Sequence, residues 1–414
     1  MTIRVAGIAI TPPGIKASGG VSAGIQLMKR VAERAETHML VMADDDSVEQ
    51  DGALTIHRMK ATNAIQRTPI GRFVPRGLVT LFWRVDFGAW LDRVKPDIVH
   101  IHNPHPPGAL LAAARACDAR NIPYVISTHG FVEFDDYATA FGAKPWQRPI
   151  IDRLIRVPLV QTTRGAARVL MLSPEEKPIF DGMEIEPARL GVVPNGVDPW
   201  FLDSLDEADR LAAVARFALP ADKPKILFVG NHTPNKGIDV LLKAMMRMRE
   251  PAVAVIGGGI RSPEEHKAML ADAGFDMASG RAIFTDFLSR DELKGLYQSC
   301  DIFAFPSRAD TLPLVILEAM VSRLPVVATR IGGIPFEVTD ETGALIDSGD
   351  TDGLARELDR IAADPALRRS MGAAGRQRAI DIFNWDRSAE ESIRIYSEIL
   401  DGPSGSARHA GKTL

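Results

Sequence analysis

A two-domain α/β architecture, in which each domain carries a parallel, doubly wound sheet, is the fold that this sequence of 414 residues predicts. The chain is too long for one ordinary hydrophobic core. Short apolar runs alternate with amphipathic helical stretches, which is the pattern of βαβ units. This alternation stops at a loop over residues 194–205 and then starts again. Two such halves predict Rossmann-like domains that face each other across a cleft, with ligands beyond the carboxyl ends of the strands.

The first series of strands is read from apolar runs that end in polar or glycine-containing turns. Strands are expected at residues 3–10, 38–42, 97–101, 124–127, 169–172 and 191–193. Helices are expected at residues 21–35 and over the alanine-rich stretch 108–119. Because strands and helices alternate, the sheet is expected to be parallel with right-handed crossovers.

The second series predicts another parallel sheet. Its strands are expected at residues 225–229, 252–256, 282–284, 302–305, 326–329 and 344–346, and three helices follow Asp350. The predicted domains are residues 1–200 and 205–385, with a closing helix over residues 386–400 that packs back on the N-terminal domain. Residues 402–414 are rich in glycine and serine and are expected to be disordered.

Composition excludes several classes of protein. Apolar residues make up 46% and charged residues 25% of the chain, which is the balance of a globular protein with enough apolar side chain for two cores. The net charge of −4 gives no general reason to expect nucleic acid as a partner. The two cysteines, Cys117 and Cys300, lie in apolar runs and fit a reducing compartment. The N terminus does not resemble a signal peptide, and no apolar run approaches the ~20 residues of a membrane span, so the expected location is the cytoplasm.

The most informative motif is the loop and helix that follow the strand ending at Phe305. Pro313 stands where the first turn of a helix would begin, so the helix amides after it can hold a phosphate. Asp310 in the loop and Glu318 in the helix can accept hydrogen bonds from hydroxyl groups. Amides for phosphate and carboxylates for sugar and ribose are typical of a sugar-nucleotide site. Taken alone, the two acids would instead favour a plain loop followed by a half-buried helix.

A second strand–loop–helix motif runs from Phe228 through Gly230 and Asn231 to Lys236. A lysine at this place can neutralise a diphosphate without a metal ion. An ordinary surface lysine is the alternative interpretation, and for a single lysine it would usually be correct.

Together these motifs resemble the retaining family-4 glycosyltransferases of the GT-B fold, the glycosyl transferases group 1. The resemblance covers nearly the whole chain in the family's order. Besides the two loops, it rests on Gly19-Gly20, residues 97–102, Thr128-His129-Gly130, residues 193–198 and residues 383–385. Such an ordered set is far more specific than any one match.

The resemblance implies a role for each matched position. Lys236, His129 and Asp310 would be the catalytic residues, with Lys236 on the diphosphate and the other two on the donor sugar. Glu318 would bind the ribose. Gly20 would approach the diphosphate from the N-terminal domain. The complete set of donor-binding positions is Gly19, Gly20, Gly230, Asn231, Lys236, Asp310, Leu314, Val315 and Glu318, with Leu314 and Val315 acting through their amides. The nucleotide sugar is a co-substrate, and neither a cofactor nor a metal ion is expected.

The chain departs from the family pattern at three places. Asp310 stands where the family usually has Glu, so its carboxylate is one methylene shorter. Asn231 stands where the family usually has Arg, which removes a full positive charge beside the leaving diphosphate. Either another basic residue, such as Lys16 or Arg261, replaces it, or the activity is weaker than is usual in the family. A milder change is Thr-Leu-Pro over residues 311–313 in place of the common Gly-Phe-Gly, because amides matter there more than side chains.

Two apparent metal motifs are interpreted as structural. Asp44 and Asp46 form an Asp-x-Asp, but a solvated loop fits their place in the chain better. The turn after the first strand lacks the Gly-x-Gly-x-x-Gly spacing, so a dehydrogenase is not expected either. His100, His102 and His105 have no nearby cysteine or carboxylate in the sequence to complete a zinc site.

Two basic, amphipathic segments leave a membrane interpretation open. Residues 144–168 carry lysine and arginine among apolar side chains, and residues 67–90 have a similar pattern. Such a helix can lie on an anionic membrane surface. The alternative is a solvated helix that packs its apolar side inward. If the membrane interpretation holds, the protein is peripheral at the inner membrane face and its acceptor is lipid-linked.

The function predicted from the sequence is retaining transfer of a sugar from a nucleotide-diphosphate sugar to the hydroxyl group of a sugar or lipid-linked acceptor. The expected setting is the synthesis of surface polysaccharide, glycolipid or a related glycoconjugate. One alternative is a sugar-nucleotide epimerase or hydrolase on the same scaffold, which needs no acceptor. Another is a catalytically silent binding subunit, with which the departure at Asn231 is consistent.

Overall fold

The computed structural model describes residues 3–13, 19–63, 65–66, 68, 79–102, 106–129, 148–260, 263–285 and 288–402. The chain forms two compact units, Met1–Asn195 together with Trp385–Leu414, and Gly196–Asn384. Each unit has a parallel sheet with helices in the connections between its strands. The predicted α/β class is therefore confirmed, and both units are Rossmann-like.

The sheet of the first unit has central strands that are buried. The strands are β1 (Arg4–Ala9), β2 (Glu36–Ala43), β3 (Ser47–Asp51), β4 (Leu54–Lys60), β5 (Thr62–Asn63), β6 (Trp83–Arg84), β7 (Ile98–His102), β8 (Tyr124–Ser127), β9 (Arg168–Met171) and β10 (Leu190–Val192), of which β5 and β6 form a separate pair. The order across the main sheet is β10-β9-β8-β7-β1-β2-β4-β3, and the β3–β4 pair is antiparallel where its other pairs are parallel. Parallel strands that are covered on both faces have continuous apolar sequences, and for this reason they could be predicted from the sequence.

The antiparallel hairpin of β3 and β4 was not predicted. β3 is exposed along most of its length, and its one large apolar residue, Val48, is 64% exposed. The strand therefore lacks the alternation of buried and exposed residues from which a strand is read. Exposed charged side chains on an edge strand also hinder its pairing with another chain.

Helices were predicted in the first unit at residues 21–35, 108–119 and 144–168, and the described residues have a helix at each of these places and two more that were not predicted. They are α1 (Gly19–Ala32), α2 (Phe87–Val94), α3 (Pro107–Asp118), α4 (Arg148–Gly165) and α5 (Lys177–Gly182). Gly19 and Gly20 form the first turn of α1 rather than the loop before it. The basic segment predicted over residues 144–168 is helical from Arg148, stops at Gly165 and gives way to β9. Its residues before Arg148 lie outside the described part of the chain.

The second unit has a parallel sheet with the order β13-β12-β11-β14-β15-β16. Its strands are β11 (Lys225–Val229), β12 (Val253–Gly257), β13 (Ala282–Phe284), β14 (Ile302–Phe305), β15 (Val326–Thr329) and β16 (Gly343–Ile346). Its helices are α6 (Glu207–Arg216), α7 (Ile238–Arg247), α8 (Pro263–Ala273), α9 (Arg290–Ser299), α10 (Leu314–Val321), α11 (Ile334–Glu337), α12 (Thr351–Ala363) and α13 (Pro365–Ile382). Each predicted strand of this unit lies within about one residue of the observed one, because the strands are apolar runs that, apart from the half-buried β13, are mostly buried.

The last helix, α14 (Trp385–Asp401), belongs to the first unit although it follows the second in the sequence. The Ser388 hydroxyl donates to the Pro194 carbonyl oxygen at 2.8 Å. Deeper in the core, the Tyr396 hydroxyl lies 2.5 Å from Nδ1 of His100. Within the described residues, no helix combines the length and apolar character that crossing a bilayer requires.

Candidate active site

The loops after β11 and β14 lie where the strand order of the second sheet reverses. Open parallel sheets bind ligands at such a switch point, beyond the carboxyl ends of the strands. Lys236 ends a short 3₁₀ turn, Pro234–Lys236, in the first loop, and Asp310 lies in the second. The Lys236 Nζ atom lies 2.8 Å from both carboxylate oxygens of Asp310. The structure thus brings together two of the three residues predicted to be catalytic.

Backbone contacts fix these two loops against each other. Gly237 has a φ of +70°, and a Cβ atom on it would come within 1.9 Å of the Pro306 carbonyl oxygen, so only glycine fits. The Arg308 amide donates to the Asn235 carbonyl oxygen at 2.7 Å. The Arg308 guanidinium also forms a bidentate ion pair with Asp239, with N–O distances of 2.8 and 2.6 Å. Neither Arg308 nor Asp239 was expected from the sequence, because their pairing depends on the fold.

The start of α10 supplies the predicted phosphate-binding amides. Pro313 is extended and immediately precedes the helix, so the amides of Leu314 and Val315 belong to its first turn. First-turn amides have no acceptor inside their own helix and can bind an anion. These amides follow Asp310 by four and five residues in the same connection between strand and helix.

Glu318, the residue predicted to bind ribose, is half-buried in α10. The Tyr297 hydroxyl donates to its Oε2 atom at 2.9 Å. Burial raises the pKa of Glu318 to about 7, and the hydrogen bond from Tyr297 opposes that shift. Glu318 and Leu314 are four residues apart, so both lie on the same side of the helix.

Glu337, the last residue of α11, was not predicted from the sequence. Its side chain is fully buried, and neither of its carboxylate oxygens has a hydrogen-bond partner in the described part of the chain. Burial raises the pKa of Glu337 well above its usual value, and the neighbouring Asp310 carboxylate adds to the shift. Burial thus favours the protonated, uncharged form of the Glu337 carboxyl group. The signal in the sequence was a single acid inside the apolar segment 334–338.

Gly230 and Asn231 follow β11 directly. Gly258, with a φ of +131°, approaches this turn so closely that a Cβ atom on it would lie 2.0 Å from the Gly230 carbonyl oxygen. Asn231 is half-buried at the position where the family usually has arginine. Lys16 and Arg261, the suggested replacements for that arginine, lie outside the described residues.

In the first unit, the predicted site residues follow β1 and β8. Gly19 and Gly20 open α1, which is the helix after β1. His129 follows β8 and is 7% exposed, and burial lowers its pKa to about 4. At neutral pH its imidazole is therefore uncharged, and it can hydrogen-bond a hydroxyl group without adding charge.

His129 belongs to a histidine cluster with His100 and His102, which lie on β7. The ring centroids of His100 and His102 are 3.9 Å apart, and those of His102 and His129 are 5.8 Å apart. His100 is hydrogen-bonded to Tyr396 and, at 2.7 Å, to the Ser127 hydroxyl, whereas neither ring nitrogen of His102 has a hydrogen-bond partner among the described residues. Burial lowers the pKa of His100 to about 3 and that of His102 well below its usual value. The histidine cluster is thus neutral.

Among the described residues there is no group of three or more side chains suited to hold a metal ion. The acids after β2 are engaged with β4, since Asp45 pairs with the Lys60 ammonium at 2.9 Å and Asp46 accepts the Lys60 amide at 2.7 Å. His105, the third histidine of the apparent zinc motif, lies outside the described residues.

Two family patterns match this chain. The pattern of the glycosyl transferases group 1 matches residues 209–378, and that of Glycosyltransferase Family 4 matches residues 18–201. The chain belongs to the family-4 glycosyltransferases of the GT-B fold, and it is an enzyme of the hexosyltransferase type.

Individual proteins show how far the similarity extends. A D-inositol 3-phosphate glycosyltransferase from Streptomyces bingchenggensis is 31% identical over 337 residues, which is 76% of this chain and 70% of that relative. Sucrose-phosphate synthase from Thermosynechococcus elongatus superposes with a TM-score of 0.73 at 21% identity, over 96% of this chain and 99% of that one. HepE from Anabaena in complex with UDP-glucose gives a TM-score of 0.72 at 18% identity, over 96% of this chain and 100% of that one. At these identities the two solved structures support the fold.

Proposed function

We propose that this glycosyltransferase keeps the anomeric configuration of the sugar that it moves from a nucleotide-diphosphate donor to an acceptor hydroxyl group. The observation that carries the proposal is the Lys236–Asp310 pair at the switch point of the second sheet, close in sequence to the first turn of α10. A cation and helix amides suit a diphosphate, and a carboxylate suits sugar hydroxyl groups.

Departure of the nucleoside diphosphate is the step that these residues stabilise. Lys236 and the amides of Leu314 and Val315 hold the charge that grows on the phosphate as the bond to the sugar breaks. The anomeric carbon then has oxocarbenium character, and the acceptor hydroxyl attacks it from the face that the diphosphate leaves. The departing phosphate oxygen takes the proton of the acceptor, so no side-chain base is required. In this scheme neutral His129 hydrogen-bonds the donor sugar, and Glu318 binds the ribose.

The surface of α4 supports a membrane-associated role. Leu154 and Val157 are 40% and 42% exposed, and Arg153 and Arg156 beside them are exposed as well. Residues three apart lie on one face of a helix, so these side chains form a stripe that is both apolar and basic. Such a stripe suits an anionic membrane surface. We therefore propose a lipid-linked acceptor, a peripheral position at the inner membrane face, and a role in surface polysaccharide or glycolipid synthesis.

A panel of nucleotide sugars tests the proposed reaction. A donor present at a hundred times its dissociation constant adds ~2.7 kcal/mol of stability, which is measurable as a rise in melting temperature. We expect one donor to stabilise the protein, and proton NMR of its product to show the donor's anomeric configuration. An inverted product would contradict retention. Release of free sugar or of an epimer without acceptor would indicate a hydrolase or epimerase, and failure of every donor to bind would contradict the proposed reaction as a whole.

We further propose that turnover needs no divalent cation, since Lys236 and the helix amides can take the part that a metal ion plays in other transferases. The rate with the donor found in the panel should persist in excess chelator. Complete loss of the rate, restored by manganese or magnesium, would instead give Asp44 and Asp46 a function.

A further inference from the structure

Lys236 and Asp310 form an ion pair that is still open to a ligand. Their side chains are 19% and 16% exposed, so a ligand can reach them, yet they are shielded enough for a strong attraction. Lys236 is the single lysine or arginine in the loop over residues 230–237. The charges of Lys236 and Asp310 balance each other, because the ammonium group lies 2.8 Å from both oxygens of the carboxylate. The pair thus has no net charge to offer an arriving diphosphate.

Asp310 is held in place by the residues behind it. The Ser307 hydroxyl donates to its Oδ2 atom at 2.6 Å, and Ser307 is fully buried. The Ser307 carbonyl oxygen in turn accepts the Thr329 hydroxyl at 2.5 Å, which ties the loop to β15. Gly332 packs so closely that a Cβ atom on it would lie 2.0 Å from the Asp310 carbonyl oxygen. A ligand that takes Lys236 must therefore either leave the Asp310 carboxylate uncompensated or supply new hydrogen-bond donors to it.

A free nucleoside diphosphate and a nucleotide sugar differ in what they offer to this carboxylate. The free diphosphate has an unesterified terminal phosphate, whose additional negative charge would repel Asp310. In the nucleotide sugar that oxygen is esterified, and the sugar brings hydroxyl groups that can donate to a carboxylate. Only the nucleotide sugar replaces the hydrogen bonds that Asp310 loses when Lys236 turns to the phosphate.

We propose that Asp310 makes tight nucleotide binding depend on the sugar. Asp310 holds Lys236 until sugar hydroxyl groups occupy the carboxylate, and it recaptures Lys236 once the sugar has been transferred. Recapture weakens the hold on the nucleoside diphosphate and so favours release of that product. This inference rests on the proposed function and names the residue that determines the preference for donor over product.

Titration calorimetry of the full chain with UDP-glucose and with UDP tests the inference, and the matching pair replaces them if the panel selects another donor. The wild type should bind the nucleotide sugar more tightly than the diphosphate. Asp310→Asn should bind UDP at least tenfold more tightly than the wild type, without a matching gain for UDP-glucose. The matched control is Asp222→Asn. Asp222 is exposed and precedes β11, so it lies at the amino-terminal end of the strands, away from the site, and its replacement should leave both affinities within twofold.

Two further variants separate the inference from simpler explanations. In a Lys236→Met background, Asp310→Asn should gain much less affinity for UDP, because no lysine is released. An equal gain there would show general charge repulsion and overturn the inference. Asp310→Glu, which keeps the carboxylate, should retain the preference for UDP-glucose, and this variant decides the matter if Asp310→Asn does not fold.

The outcomes also separate this inference from the proposed function. If the wild type binds and turns over a nucleotide sugar but a folded Asp310→Asn binds UDP no more tightly, the inference alone fails. If the wild type binds neither the sugar nucleotide nor the diphosphate, the proposed function fails and the inference fails with it.

Discussion

The carboxyl ends of the two parallel sheets carry polar side chains of opposite character. In the first unit the histidine cluster is buried, and burial lowers the pKa of each imidazole far enough to keep it uncharged. In the second unit, Lys236 and Asp310 form an ion pair that is partly exposed. The contrast follows from burial, because an ionisable group without a charged partner becomes neutral in a dry environment. The strand ends of the first unit offer uncharged hydrogen-bonding groups. Those of the second unit carry the ammonium group that can bind a diphosphate.

Replacing Lys236 should give the largest effect. We expect Lys236→Met to lower kcat/KM at least ~100-fold, as loss of a positioned charge at a leaving group does, while the protein still folds. His129→Gln keeps an uncharged polar group in the first unit and should lower kcat/KM only about fivefold, since a neutral hydrogen bond contributes about 1 kcal/mol. Steady-state kinetics on both variants measures the difference. Wild-type activity in folded Lys236→Met would remove this residue from the mechanism. Equal losses of kcat/KM in Lys236→Met and His129→Gln would contradict the contrast between the two units.

Adding a positive charge at Asn231 should strengthen diphosphate binding by the second unit. Asn231→Arg replaces a neutral hydrogen bond to phosphate with a charged one, a gain on the order of 1–2 kcal/mol, or about 5- to 30-fold in affinity. Calorimetric titration of both proteins with the same nucleoside diphosphate measures it. Weaker binding by the variant would mean that another basic residue already occupies the place of the missing arginine.

Acid should destabilise the first unit more than the second. The pKa values of the histidine cluster lie below the ~6.5 of an unfolded histidine, so below that pH the unfolded chain binds protons that the folded unit does not. Burial raises the pKa of Glu176 to about 7, and this acts in the opposite direction, because the folded form binds its proton at a higher pH than the unfolded form does. In the second unit, histidines with lowered pKa values oppose glutamates with raised ones, namely His232 and His266 against Glu318 and Glu337.

Each proton that the unfolded state binds in excess of the folded state lowers the free energy of unfolding by up to ~1.4 kcal/mol per pH unit. Three histidines offset by one glutamate leave about two such protons, so the free energy of unfolding of the first unit should fall by up to about 2–3 kcal/mol between pH 6 and pH 5. Hydrogen exchange read by mass spectrometry and corrected for intrinsic rates should then be faster in β7 and β8 at pH 5, with little change in β11 and β14. His102→Leu removes an imidazole that has no hydrogen-bond partner among the described residues, and it should reduce the acid sensitivity. Equal acceleration in both units would show that the charge difference has no effect on stability.

The smallest expected effect concerns the exposed stripe of α4. The protein should co-sediment with anionic vesicles at low salt and be released as salt rises, since surface attraction is screened over about 8 Å at physiological ionic strength. The double variant Arg153→Gln with Arg156→Gln should bind these vesicles less, while its enzymatic rate with a water-soluble acceptor stays the same. Equal partitioning of the wild type to neutral and anionic vesicles would contradict the membrane proposal.

Features formed by residues that are close in the sequence could be predicted, whereas contacts between residues far apart in the sequence could not. The loops after β11 and β14 were identified because strand, turn and helix start are local patterns with glycine and proline at fixed places. The ion pair between Lys236 and Asp310 joins residues 74 positions apart, and no local pattern records it. Glu337 could not be recognised either, because only the fold shows that its carboxyl group is buried. The exposed strand β3 was missed for the converse reason, since its side chains face solvent and show no alternation.

The position of α14 has a consequence for how the protein is made. On the ribosome, the first sheet emerges before the second unit, but the helix that completes its core emerges after it. Until then His100 lacks the Tyr396 hydroxyl that lies 2.5 Å from it in the finished protein. A nascent chain released after residue 384 would hold a complete second unit and an unfinished first one. The core of the first unit can therefore be completed only after the second unit has been synthesised, and a chaperone that protects the incomplete first sheet would act during that interval.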